Sequence, residues 1–178
     1  GCSMMGKMTR KEIPMTYSVG VEYALHCLIY LIDPPKGKAM GIKELAAYQG
    51  VSETYLSKFF TKLKKAAIVD SVPGVNGGYR LLRSPEQITF WDVVEAIEGS
   101  EPIFQCGEIR QKEAVLDPNN LPKSHCEKPC TIKVVMWEAE EQMRQYLRQK
   151  TLQWLYEEVS AKVTDDYRTA SKAWFDQK

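Results

Sequence analysis

No segment of this 178-residue chain carries the roughly 18 consecutive apolar residues that a membrane-spanning helix needs. The richest run, Ala24 to Ile32, is about half that length and stops at Asp33-Pro34-Pro35. Residues 1–14 are polar and basic and lack the apolar core of a secretory signal, so the expected compartment is cytoplasmic. Gly1 to Met8 reads as partly an expression remnant, and Cys2 is set aside with it. Net charge is nearly absent, +1 from 24 Lys/Arg and 23 Asp/Glu, which excludes a wholly basic polyanion binder. Internal repeats and low-complexity tracts are missing, which excludes solenoids. No general-base constellation or pocket-forming α/β pattern is visible, and an enzyme is not expected.

What is present is an ordinary globular balance, 44% hydrophobic and 26% charged, long enough for one domain with a core and an appended helix. The near-zero net charge hides an asymmetry. Residues 41–83 hold seven Lys/Arg against three Asp/Glu (+4), and residues 84–178 hold twelve against seventeen (−5). A basic segment in a neutral chain points to a local polyanion-binding face. On charge alone, a solvated lysine-rich helix face is the simpler explanation.

Helical spacing of Val21, Ala24, Leu25, Leu28, Leu31 and Ile32 predicts a helix over 18–32 with Ser18 as N-cap. A short helix is expected from Ile42 to Gln49, with Gly50 as its C′ residue. A third runs from Glu53 to about Ala67, capped by Ser52, with Tyr55, Leu56, Phe59, Phe60, Leu63 and Ala67 on its apolar stripe. Two helices joined by Gly50-Val51-Ser52 fit a helix-turn-helix. Two β-type runs follow, Ile68 to Val72 and Tyr79 to Leu82, around the turn Pro73-Gly74-Val75-Asn76-Gly77-Gly78. A hairpin directly after a recognition helix is a wing.

Thr89 and Asp92 suggest a capping box opening a helix from Phe90 to Glu98. Residues 100–131 are irregular and hold three cysteines and four prolines. A helix from Thr131 to about Lys150 carries a stripe of Met136, Ala139, Met143 and Leu147, flanked by Val135 and Tyr146. Burying that stripe on a partner copy is the simplest use for it; docking on its own domain is the alternative. Leu152 to Val159 reads as a further helix, and Thr164 to Lys178 as a polar tail with a Trp174-Phe175 pair. The expected fold is mainly α with a small β wing, a winged helix-turn-helix domain plus a long dimerisation helix. Its parts are a disordered N-terminus at 1–15, the DNA-binding domain at 16–99, a cysteine-bearing sensor loop at 100–131, the dimerisation helix with a short helix at 132–160, and a C-terminal tail at 161–178.

For contact with double-stranded DNA, Ser52, Glu53, Thr54, Ser57 and Lys58 would reach base edges. Lys58, Lys62, Lys64 and Lys65 suit phosphates, which give affinity without sequence choice. The wing would add Asn76, Gly77, Gly78 and Arg80. Glu22 and His26, four apart on one helix face, could share a metal or simply be a hydrogen-bonded pair. Three cysteines within 25 residues suggest metal-binding or redox chemistry rather than a structural disulfide. His125-Cys126 with Cys130 suits zinc as well as an iron–sulfur cluster. Cys27 reads as a small buried apolar residue.

Four motifs in order, Tyr23-Ala-Leu, Val51-Ser-Glu-Thr-Tyr-Leu-Ser-Lys, Gly77-Gly-Tyr-Arg-Leu and Ile88-Thr-Phe-Trp-Asp-Val-Val-Glu-Ala-Ile-Glu-Gly, resemble the Rrf2 family of bacterial regulators over residues 16–160. Val21-Glu-Tyr-Ala-Leu-His-Cys resembles its RsrR-type members in particular. The resemblance implies a homodimeric winged-helix transcription regulator whose operator binding is switched by a 2Fe-2S cluster held between subunits. Carried over, its ligands would be Cys106 and Cys126 from one subunit with Glu22 and His26 from the other. Cys130 would be an alternate ligand, a redox partner for Cys126 or a spare thiol. The three-cysteine ligation of other members packs its cysteines into a short segment, and the nineteen residues between Cys106 and Cys126 depart from that. Family wings usually carry an Arg where this chain has Pro73, which removes that minor-groove reader. The alternative is a cluster-free regulator controlled by cysteine oxidation or by a protein partner.

Overall fold

The computed structural model describes residues 17–177 except Lys36 and Lys38, so the expected N-terminal remnant and Cys2 lie outside the described residues. Helices α1 (Val19–Ile32), α2 (Ile42–Gln49) and α3 (Glu53–Lys65) come first. The strands β1 (Val69–Val72) and β2 (Gly78–Leu81) follow, then helix α4 (Phe90–Glu98). A 3₁₀ turn (Ile109–Lys112) and a short helix α5 (Lys123–Cys126) lead to α6 (Thr131–Arg148), α7 (Leu152–Lys162) and α8 (Asp165–Asp176). The mainly α fold with a two-stranded wing is as expected. The chain forms two compact units, one holding residues 101–144 and the other residues 17–100 with 145–177.

The larger unit has one core. Ala24, Cys27, Leu28 and Leu31 of α1 meet Leu45 and Ala46 of α2, Leu56, Phe59, Phe60 and Leu63 of α3, and Val93 and Ile97 of α4. The α1, α3 and α4 sets recur at three- and four-residue spacing, which puts each on one helix face. The turn between α2 and α3 forms as its residues dictate. Gly50 takes the left-handed conformation (φ 72°) and its N–H donates to the Ala46 and Ala47 carbonyls. Ser52 Oγ then accepts from Tyr55 N at 3.1 Å and starts α3. Helix α3 ends at Lys65 rather than Ala67, because Ala67 itself turns left-handed (φ 57°) to enter the wing.

The wing is antiparallel, with Val69 opposite Leu81 and Val72 opposite Gly78. Met40, just before α2, adds a further rung: its N–H donates to Tyr79 O at 3.0 Å and its carbonyl accepts from Tyr79 N at 2.8 Å. Gly78 (φ 145°) lies against the Met40 carbonyl where a Cβ would collide, so the second wing glycine is a packing requirement.

Beyond the wing, Thr89 and Asp92 form the expected capping box at α4, with bonds of 2.9 and 3.1 Å. Thr89 pairs with Thr151 in an isolated antiparallel bridge, and Thr151 Oγ1 caps α7 by accepting from Trp154 N at 3.0 Å. The expected polar tail is instead α8. Thr164 caps it, and Phe175 is buried against Tyr30 and Tyr48, with ring centroids 5.3 and 4.7 Å away. Burial in this aromatic cluster pushes the Tyr30 hydroxyl above the ordinary tyrosine range.

Candidate DNA-reading face and ligand pairs

Ser52, Glu53 and Thr54 stand exposed at the start of α3, with Lys58 exposed one turn later and Ser57 half-buried. The apolar side chains between them, Leu56, Phe59 and Phe60, point into the core, so one helix face packs and the other faces solvent. Not every lysine expected to meet phosphate is uncommitted. Lys62 Nζ donates to the Ile97 carbonyl at the end of α4 (3.0 Å), and Lys64 Nζ donates to Ser71 Oγ (2.7 Å). Arg80 reaches Asp70 across the wing at 3.8 Å, and Arg83 donates to the Ala67 carbonyl at 3.3 Å. At the wing tip Val75 is fully exposed beside Asn76, with Gly77 and Gly78 half-buried behind it.

The second feature lies on α1. His26 Nε2 is 3.9 Å from Glu22 Oε1, with side chains 57% and 71% exposed, so both donors face outward. Beside them is an apolar cavity of about 570 Å³ whose lining includes Val21, Leu25, Ile29, Phe90, Leu155 and Val159. The inner face of the same helix seats the recognition helix: Tyr23 packs edge-on to Tyr55 at 5.7 Å, and Gly20 lies against the Phe59 ring.

The third lies in the smaller unit. Cys106 is a half-buried free thiol whose sulfur accepts from Glu108 N at 3.4 Å. Cys126, at the end of α5, is disulfide-bonded, an oxidised state in which it offers no thiolate to a metal. Cys130 is a free thiol just before α6. Ser124 Oγ lies 2.9 Å from His125 Nδ1. Arg110 and Gln111 tie the turn after Cys106 to the segment around Cys126 through Ser124 O (3.0 Å), Lys128 O and His125 O (2.6 Å). Sequence reasoning does not single out Arg110, because its partners are mostly main-chain carbonyls that carry no residue signature. Cys27 is fully buried, and burial pushes its thiol up to about 12. Among the described residues no three His, Cys, Asp or Glu side chains of the chain converge as a metal-holding group. Glu22 with His26 is one pair, and Cys106 lies with Cys126 in the other unit.

The Rrf2 family, described as an iron-dependent transcriptional regulator, matches residues 17–158. The chain belongs to the Rrf2 family. Its relatives include the HTH-type transcriptional regulator NsrR of Halalkalibacterium halodurans, 30% identical over 131 residues, covering 74% of this chain and 83% of that protein. The NsrR of Shouchella clausii is also 30% identical, covering 74% and 81%. Among solved structures, the IscR of T. potens superposes with a TM-score of 0.59 at 22% identity, over 86% of this chain and 96% of that one. CymR, the global cysteine regulator of B. subtilis, superposes with a TM-score of 0.58 at 23% identity, over 80% and 96%. The Rrf2 relatives are named as transcription regulators, in keeping with a non-enzyme. No helix among the described residues is long and apolar enough to cross a membrane.

Proposed function

We propose that this Rrf2-family regulator binds operator DNA as a homodimer and that an iron–sulfur cluster shared between subunits, through Cys106 and Cys126 of one and Glu22 and His26 of the other, sets its operator affinity. The observation that carries the reading is the outward Glu22–His26 pair on the helix whose inner face seats α3. The donors fit such a group in kind, since thiolates and imidazole suit iron. They fit it in number only when two chains contribute. Cys126 must first be reduced. When bound, the cluster supplies a one-electron redox change and a change of charge at the subunit boundary.

The chain's own residues carry the rest. A pull on Glu22 and His26 acts on α1, and Tyr23 and Gly20 pass it to Tyr55 and Phe59 of α3. Ser52, Glu53, Thr54 and Ser57 then present to base edges, Lys58 and Lys65 to phosphates, and Asn76 to Arg80 to the neighbouring backbone. Because a dimeric reader needs its two α3 helices about one DNA turn apart, a small shift of each weakens both half-sites together. Dimerisation is supported by α6, which has no buried residue and leaves Ile132, Val135, Met136 and Tyr146 exposed.

Anaerobic purification with iron, sulfide and visible-spectrum measurements tests the cluster, followed by operator affinity in oxidised, reduced and cluster-free protein. Equal affinity in all three states overturns the switch. The half-buried free thiols Cys106 and Cys130 favour one second reading, a cluster-free regulator governed by thiol oxidation. Glu22→Ala with His26→Ala separates the two, because a thiol switch survives it.

A further inference from the structure

Within the cysteine-bearing unit, the Arg110 guanidinium meets three groups: Glu108 Oε2 at 3.4 Å, the Ser124 carbonyl at 3.0 Å and the Lys128 carbonyl. Glu108 lies two residues after Cys106, and Ser124 and Lys128 lie two residues to either side of Cys126. Gln111 adds a parallel strut to the His125 carbonyl at 2.6 Å. Glu108 itself is left-handed (φ 47°), a region that non-glycine residues seldom enter, and its carboxylate is also 3.8 Å from Lys133 Nζ. Its N–H in turn donates to Cys106 Sγ.

We propose that Arg110 is the positioning residue that holds the Cys106 segment against the Cys126 segment, so that the two thiols lie near one another once Cys126 is reduced. The fork geometry matters here. A planar guanidinium can bond two carbonyls on one edge and a carboxylate on another while its own stem stays fixed, and an ammonium cannot span that set. With the clamp in place, the entropy of gathering two loop segments is already spent when a ligand arrives. The inference rests on the assignment of Cys106 and Cys126 as a working pair, whether for a cluster or for thiol chemistry.

The test uses the full chain carrying Cys2→Ser and Cys130→Ser, reduced and iron-free, treated with dibromobimane, a short reagent that bridges two nearby thiols. The Cys106–Cys126 cross-link is identified by peptide mass spectrometry. Arg110→Ala is expected to lower its rate about tenfold, through a lower effective concentration of one thiol near the other. Arg110→Lys keeps the charge and should not restore it; Gln111→Ala should give a smaller fall. Reaction of each cysteine with a one-armed maleimide should stay unchanged, which a general loss of structure or of thiol reactivity would not allow. A parent chain that gives no such cross-link, or an Arg110→Ala rate equal to the parent's, overturns the proposal. Iron and sulfide uptake by the two proteins is then measured separately. A slowed cross-link with no iron in either protein keeps the clamp and removes the cluster. An unchanged cross-link with iron in both does the reverse.

Discussion

Gly20 of α1 lies so close to Phe59 of α3 that a Cβ at position 20 would overlap the ring edge and sit 2.9 Å from its Cζ. Glycine inside a helix normally costs up to about 1 kcal/mol relative to alanine. Here the missing Cβ is what lets the recognition helix seat. Gly20→Ala should therefore destabilise the protein, by about 1 kcal/mol after the propensity gain is set against overpacking. It should also lower operator affinity by displacing α3. Phe59→Leu in the same chain should recover part of both effects in a double-mutant cycle followed by denaturant unfolding and DNA titration. Additive effects would mean that the two residues do not press on one another.

The lysines of α3 separate by what their ammonium groups already hold. Lys58 is exposed, whereas Lys62 donates to the Ile97 carbonyl at the α4 C-terminus. Lys58→Ala should flatten the salt dependence of operator binding, by about 0.9 in the log–log slope for each phosphate that is no longer neutralised. Lys62→Ala should change that slope less and instead cost about 1 kcal/mol of folding stability. The reverse pattern would transfer the phosphate role to Lys62.

The α8 helix packs on α1 and α2 through Tyr30 and Tyr48. Tyr48 of α2 hydrogen-bonds Ser171 at 2.9 Å and Tyr167 at 3.1 Å, and its ring stacks on Phe175. Phe175→Ala should cost about 3–5 kcal/mol, as expected for emptying a fully buried phenyl site. Tyr48→Phe should cost about 1 kcal/mol, since it removes only the hydroxyl bonds. Thermal melting of the two variants checks the order. If Phe175→Ala melts like the parent, α8 is not part of the cooperative unit.

Much of this fold is written in short-range signals. Gly50 and Ser52 mark the turn between α2 and α3, Thr89 and Asp92 mark the start of α4, and Gly77-Gly78 marks the wing. Each is a local backbone demand that few residues meet. The α8 helix reads as a polar tail because its apolar residues are outnumbered by charged and polar ones, and only contact with Tyr30 and Tyr48 makes Trp174 and Phe175 core-facing. Lys62 reads as a phosphate contact because a lysine in the last turn of α3 looks the same whether or not the C-terminus of α4 lies within reach. Arg110 is invisible because its main partners are carbonyls. Glu22 and His26 are legible as a pair, since four-residue spacing fixes their common face.

Cys27 supplies a pH signature that is independent of Cys106 and Cys126. It is fully buried in α1, and burial pushes its thiol from 9.0 up to about 12. In the unfolded chain the thiol ionises near its ordinary value, so between about pH 9 and 12 the unfolded state binds fewer protons than the folded one. The contribution is therefore fully present below about pH 9 and is lost as pH rises toward 12, by at most about 1.4 kcal/mol per pH unit. Lysines and tyrosines titrate in the same window, so the informative quantity is the stability difference between the parent and Cys27→Ala. That difference should be constant up to about pH 9 and then shift steadily against the parent through about pH 10 and 11. Iodoacetamide labelling at about pH 8 gives a second view, because Cys106 should react in the native state and Cys27 only after unfolding. A stability difference that stays flat to about pH 11, or native-state labelling of Cys27, would mean that water reaches the thiol and that α1 is not closed over it.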